Sequence, residues 1–88
     1  MNPTKVNILG MELDEWKFDS CIAHFGVGGD WATLYDIESR DRRKGHAIKL
    51  LRLAKKHYQS QGKMVGGSVA LNSIMRKVYR KLKIHEFK

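Results

Sequence analysis

The stretch Trp31-Ala32-Thr33-Leu34-Tyr35-Asp36-Ile37-Glu38, followed by Ser39-Arg40-Asp41-Arg42-Arg43-Lys44 and then Gly45-His46-Ala47-Ile48-Lys49-Leu50-Leu51, decides the fold. Its first part is β-branched and aromatic and reads as a strand. Simple alternation puts Trp31, Thr33, Tyr35 and Ile37 on one face and Ala32, Leu34, Asp36 and Glu38 on the other. Neither face is wholly apolar, which predicts packing on both sides. The middle part is polar and cannot be core. The last part opens a helix from about 45 to 60: Ala47, Leu51, Ala54 and Tyr58 recur at helical spacing, widened by Ile48 and Leu50, while Lys49, Arg52, Lys55 and Lys56 take the other face. Gly62 stops it.

Upstream, Cys21–Phe25 and Trp31–Ile37 flank a glycine-rich connection, Gly26 to Asp30, which is a hairpin signal. The first twenty residues are ambiguous. Val6, Ile8 with Leu9, and Trp16 with Phe18 suggest short strands broken at Gly10, and a turn of helix over 13–18 is equally allowed. Downstream, Met64–Leu71 is a short apolar stretch whose Gly66 and Gly67 mark a bulge or a close approach to the backbone. Asn72-Ser73 reads as a helix start. Ile74, Met75, Val78, Tyr79 and Leu82 form that helix's apolar face, and Ile84–Phe87 reads as a last strand. Strands alternating with helices predict an α/β (α+β) domain rather than a bundle.

The chain has 88 residues, the size of one domain, 1–88. Its single cysteine, Cys21, excludes an internal disulfide and reads as a small buried hydrophobe. The four histidines show no ligand spacing, so no metal site is expected, and His57 on the basic helix reads as solvated. Trp16 and Trp31 read as core. No apolar run approaches the roughly 20 residues of a membrane span, and the first residues lack a signal-peptide core, which predicts a cytoplasmic protein. Charge is unevenly spread. Residues 1–39 hold Lys5 and Lys17 against seven acids, whereas the chain from Arg40 on holds fifteen Lys or Arg against Asp41 and Glu86. The second half therefore expects a polyanion: the phosphates of a nucleotide cofactor, nucleic acid, or an acidic protein surface. Unpaired amides at a helix start, a glycine that permits close approach, and Arg42, Arg43 and Lys44 beside it make a ready diphosphate site. A turn glycine within a solvated basic face explains the same residues equally well.

The segment Arg42–Ala47 resembles the R/Q-x-x-G-x-G/A signature of the GNAT superfamily of acetyl-CoA-dependent N-acetyltransferases, through Arg42, Gly45 and Ala47. Asn72–Leu82 is similar to the family's N-x-x-A-x-x-L-Y-x-x-L segment through Asn72, Val78, Tyr79 and Leu82, with Met75 in place of the small residue. The order of elements matches over roughly residues 31–84. The resemblance implies a GNAT-like mixed, largely antiparallel sheet with two main helices. It implies a transferase (acyltransferase) that moves acetyl from acetyl-CoA to an amine, with no metal; a lysine or N-terminal amine of a protein is the expected acceptor. By the same resemblance, backbone amides at Arg43, Lys44, Gly45, His46 and Ala47 would bind the coenzyme A diphosphate. Backbone groups around Ile37 would pair with the pantetheine arm, and Asn72 would contact it. Tyr79 would protonate the departing thiolate, although from the residues alone it reads as a core tyrosine. The chain departs from the pattern in three ways. Some twenty residues replace the strand and two helices that precede Cys21 in longer members. Thr33 and Leu34 stand where many members carry a catalytic carboxylate, leaving Glu38 as the nearby base candidate. Leu82-Lys83-Ile84 replaces the usual L-G-F. The shortened N-terminus leaves a sheet face or edge uncovered and predicts a homodimer. Two other readings stay open: a degenerate GNAT-fold interaction module without turnover, and a basic nucleic-acid-binding protein.

Overall fold

The computed structural model describes residues 2–39, 45–68 and 73–87. Eight elements run in the order β1 (Thr4–Ile8), β2 (Met11–Phe18), β3 (Cys21–Gly28), β4 (Trp31–Ser39), α1 (His46–Ser60), β5 (Met64–Gly67), α2 (Ser73–Leu82) and β6 (His85–Glu86). They form one open six-stranded sheet whose spatial order is the chain order. β1 to β4 are antiparallel neighbours, whereas β4, β5 and β6 pair in parallel across α1 and α2. The fold is therefore α+β, with a mostly antiparallel sheet. The first twenty residues settle as a hairpin around Leu9-Gly10, both at positive φ. Strand wins over the helical turn at 13–18 because Leu13 and Trp16 are both buried, on opposite faces of β2.

Both helices contribute to one core. Trp16, Ala23, Phe25, Ala32, Leu34 and Val65 supply the sheet side, and Leu50, Leu51, Ala54, Tyr58, Val78 and Leu82 the helix side. α1 is pinned to β2 by a polar chain inside this core. Trp16 Nε1 donates to Tyr58 Oη at 3.0 Å, and Tyr58 donates to Asp14 Oδ2 at 2.7 Å. Both polar groups of the aromatic pair are thus satisfied, as burial demands. Burial, and then the charge of Asp14, push the Tyr58 phenol well above its ordinary range. His57 packs edge-on against the Trp16 ring at 5.2 Å, so it is half-buried beside the indole rather than solvated. Lys55 donates to the Leu82 carbonyl and ties α1 to the end of α2.

The strand reading of Trp31–Ile37 holds and β4 runs on to Ser39, but its two faces do not alternate simply. His24 is registered with Asp36 and Phe25 with Leu34, so Tyr35 is an extra residue, a β-bulge. The bulge flips the alternation after Leu34. Ala32, Leu34 and Ile37 face the helices, and Thr33 and Asp36 face the other way. Trp31 also lies on that other face, half-exposed rather than core. At the end of α2, Lys83 adopts a left-handed φ of 57° and the Ile84 amide donates to the Tyr79 carbonyl at 2.8 Å. The turn conformation that commonly selects glycine is kept here by a lysine.

Candidate functional site

β4 and β5 run together only from Trp31–Met64 to Leu34–Gly67. The last rung is the Ser68 amide donating to the Leu34 carbonyl at 2.9 Å. β4 continues to Ser39, and among the described residues its β5-side edge pairs with no strand beyond this point. In parallel sheets flanked by crossover helices, ligands bind beyond the carboxyl ends of the strands, where neighbouring strands diverge. The chain makes such a place here.

Tyr79 stands at the divergence. Its hydroxyl donates to the Ser68 carbonyl at 3.0 Å. It also lies against Gly67, where an added Cβ would come within 2.5 Å of the phenolic oxygen. Gly67 is thus a close-approach glycine, and what approaches is the candidate acid. Burial, reinforced by the nearby Glu86 carboxylate, raises the Tyr79 pKa, so the phenol keeps its proton at neutral pH. A cleft of about 540 Å³ beside α2 opens onto Tyr79 and is lined by Arg76, Arg80 and Lys83, together with Ile84 and Glu86.

Past the end of β4, α1 begins at Gly45, whose φ of 69° is left-handed. Among the described residues no side chain caps this end, and its first turn holds no acid. The Lys49 amide closes the first turn on the Gly45 carbonyl at 3.1 Å. Amides at the start of a helix have no partner within it and attract negative charge. The His46 side chain turns away from this end, toward Asp19 at 3.4 Å and edge-on to Phe18 at 5.6 Å. Ala47 packs on the core, and so does Ile37 from β4. Arg42, Arg43, Lys44 and Asn72 lie outside the described residues.

Glu38 does not join this group. It is exposed on β4 and registered with Ile22, on the face opposite the helices, whereas Tyr79 packs on the helix side. That opposite face holds a constellation the sequence reading missed. His24 Nε2 lies 2.9 Å from Glu15 Oε2, and His24 Nδ1 lies 2.6 Å from Asp36 Oδ1, across three strands. Burial opposes the charged imidazole, but the hydrogen bonds to Asp36 and Glu15 outweigh it and hold the His24 pKa above its ordinary value. The bond from His24, helped by Lys17, lowers that of Glu15. An unbulged hairpin would have set His24 against Tyr35, so only the bulge reveals the pair. Among the described residues, no group of three or more His, Cys, Asp or Glu side chains is placed to hold a metal ion, and no helix is long and apolar enough to cross a membrane. The chain matches no family model, no curated protein and no solved structure.

Proposed function

We propose that the chain is a compact GNAT-like acetyltransferase that moves an acetyl group from acetyl-CoA to an amine on a protein. The observation that carries the reading is the Tyr79 hydroxyl at the parting of two parallel strands, with the uncapped start of α1 beyond the end of β4. Amides at Gly45, His46 and Ala47 would hold the diphosphate, with Arg43 and Lys44 amides and the Arg42 side chain beside them. The unpaired edge of β4 around Ile37 would hold the pantetheine arm by backbone hydrogen bonds, as an added strand would, with Asn72 beside it. An N–H there would polarise the thioester carbonyl. The amine nitrogen attacks that carbonyl carbon after losing its ammonium proton to water, and the carbon–sulfur bond breaks. Tyr79 donates its proton to the departing thiolate and regains one from solvent, which takes the second proton from the amide nitrogen.

One observation favours a second reading, an interaction module on the same fold without turnover. Glu38 lies across the sheet from Tyr79, and no other described carboxylate is positioned there as a base except Glu86, which stands beside the phenol itself. Thiol release from acetyl-CoA with a lysine peptide separates the two. Turnover that falls roughly 10²–10⁴-fold in Tyr79→Phe, with coenzyme A affinity nearly unchanged, supports the enzyme. Turnover unaltered in Tyr79→Phe removes this residue from the mechanism, and no turnover at all favours the module.

A further inference from the structure

The helices cover one face of the sheet and leave the other bare. The bare face is neither uniformly polar nor basic. A groove of about 390 Å³ runs across it, lined by Met11, Leu13, Gly26, Trp31, Thr33 and Tyr35 among others. Leu13 is buried in it yet belongs to no part of the main core. Tyr35 is half-exposed, and the outer end of its ring lies over Gly26, where a Cβ would collide with it. The Trp31 ring stands edge-on to Phe87 with centroids 4.9 Å apart. Two carboxylates follow Tyr35 on the same strand. Asp36 has a side chain 59% exposed, and Glu38 is exposed two residues further on. Asp36 is already bonded to His24, and Glu15 adds a third carboxylate, bonded to His24 and Lys17. Aromatic faces beside carboxylates attract a cation and repel an anion.

The position of this groove matters more than its composition. Tyr35 is the first residue past the last β4–β5 rung, and the Ser68 hydroxyl reaches toward its carbonyl at 3.4 Å. Tyr79 meets the same rung from the helix side, through the Ser68 carbonyl and Gly67. The two tyrosines therefore flank one point of the sheet from opposite faces. A ligand on the bare face must reach across one strand's thickness, and a lysine side chain, an amine on a four-carbon stem, has the shape for that.

We propose that the bare face is the docking surface for a lysine-bearing, cationic polypeptide segment, held over Trp31 and Tyr35 with its cationic end toward the Asp36 and Glu38 carboxylates further along β4. The proposal deepens the acetyltransferase reading by placing its acceptor, and rests on that reading only for what happens to the amine. Docking itself needs no coenzyme. Trp31 is a built-in reporter, because the other tryptophan, Trp16, is buried at 1% exposure on the opposite face.

The test titrates the chain, without coenzyme A, with an N-acetylated peptide of alternating glycine and lysine and with its glutamate counterpart. The lysine peptide is expected to shift Trp31 emission and the amide resonances of Gly26, Tyr35 and Asp36, and the glutamate peptide is not. Tyr35→Leu, which removes an exposed ring while keeping an apolar side chain, should weaken the lysine peptide about two- to fivefold, the scale of one exposed cation–π contact. Tyr35→Phe should bind as the parent does. Asp36→Asn should weaken binding in a salt-sensitive way. Lysine-peptide shifts confined to the helices, or absent at millimolar peptide, overturn the proposal. So does a single-stranded oligonucleotide that shifts Trp31 in place of the peptide, or light scattering that shows this face closed in a dimer. Docking without thioester consumption would refute the acetyltransferase reading alone. Coenzyme A binding without docking would refute this proposal alone.

Discussion

The two faces of one sheet have been built to different rules. The helix side carries nearly all of the core, and its two helices hold Lys49, Arg52, Lys55, Lys56, Arg76, Lys77, Arg80 and Lys81 with no acid between them. The bare side carries a thin apolar groove, a bulge and the Glu15–His24–Asp36 clamp. Stability therefore resides mainly on the first side, and chemical selectivity is divided between them. On the proposed reading, anions would be drawn to the start of α1 and cations to the exposed end of β4.

The sharpest way to break this contrast is to cut equal volumes from the two sides. Phe25 is fully buried under α1 and its ring tilts onto Tyr58 at 5.3 Å. Phe25→Ala should destabilise the chain by about 3–5 kcal/mol, as large-to-small core changes do. Tyr35→Ala removes a ring of similar size from the bare side and should lower stability far less, because that ring is 48% exposed. Urea midpoints measured for both decide it. Equal losses would mean that the bare face is a second core.

A smaller effect separates two adjacent glycines. Gly67→Ala drives a methyl into the Tyr79 hydroxyl, held by a buried helix, and should cost about 1–3 kcal/mol, the range for overpacking. Gly66→Ala meets the far end of the half-buried Phe87 ring, with the His85 carbonyl next at 3.2 Å. It should cost less than Gly67→Ala in the same thermal scan. Reversed order would place Tyr79 on the more yielding side.

These glycines also show what the sequence could tell. Their presence in a strand announced a bulge or a close approach, and the structure gives the second, with an aromatic ring on each, Phe87 on one face and Tyr79 on the other. The helices were legible from Ala47, Leu51, Ala54 and Tyr58 and from Val78, Tyr79 and Leu82, because 3.6-residue spacing is a local property. The bulge was not. A single extra residue at Tyr35 depends on how β3 and β4 settle their register, a pairing that no window of one strand contains. The exposed Trp31, the inward Ile37 and the His24 clamp all follow from how those strands pair. His57 was misread for a related reason: its neighbour, Trp16, is 41 positions away. Of the candidate site, Gly45 at a helix start was readable from its own residues, whereas Tyr79 read as a core tyrosine and entered only through the resemblance. The separation of Glu38 from Tyr79 was not legible, since it is a question of faces.

The smallest effect concerns pH. His24 titrates above its ordinary 6.5 in the folded chain. Its contribution is thus complete below pH 6.5 and fades as pH rises through the raised value. Glu15 titrates below its ordinary 4.5. Its contribution is complete above pH 4.5 and fades as pH falls through the lowered value. The clamp should therefore help most between those two pH values. Melting temperatures of the parent and His24→Gln should differ most between pH 4.5 and 6.5 and converge as pH rises through the raised value. A constant difference would show that His24 contributes by packing alone.

The proposed function requires the start of α1 and the parted strands to receive a nucleotide thioester. Thermal unfolding in increasing coenzyme A tests this most directly, because a ligand that binds only the folded chain stabilises it by about 2.7 kcal/mol at a hundredfold excess over its dissociation constant. The melting temperature should climb steadily with the logarithm of coenzyme A concentration, and Gly45→Asp, which sets a carboxylate and a strained backbone at the helix start, should abolish the climb. A folded chain whose melting temperature stays unchanged to millimolar coenzyme A, or a Gly45→Asp variant that climbs as the parent does, would contradict it.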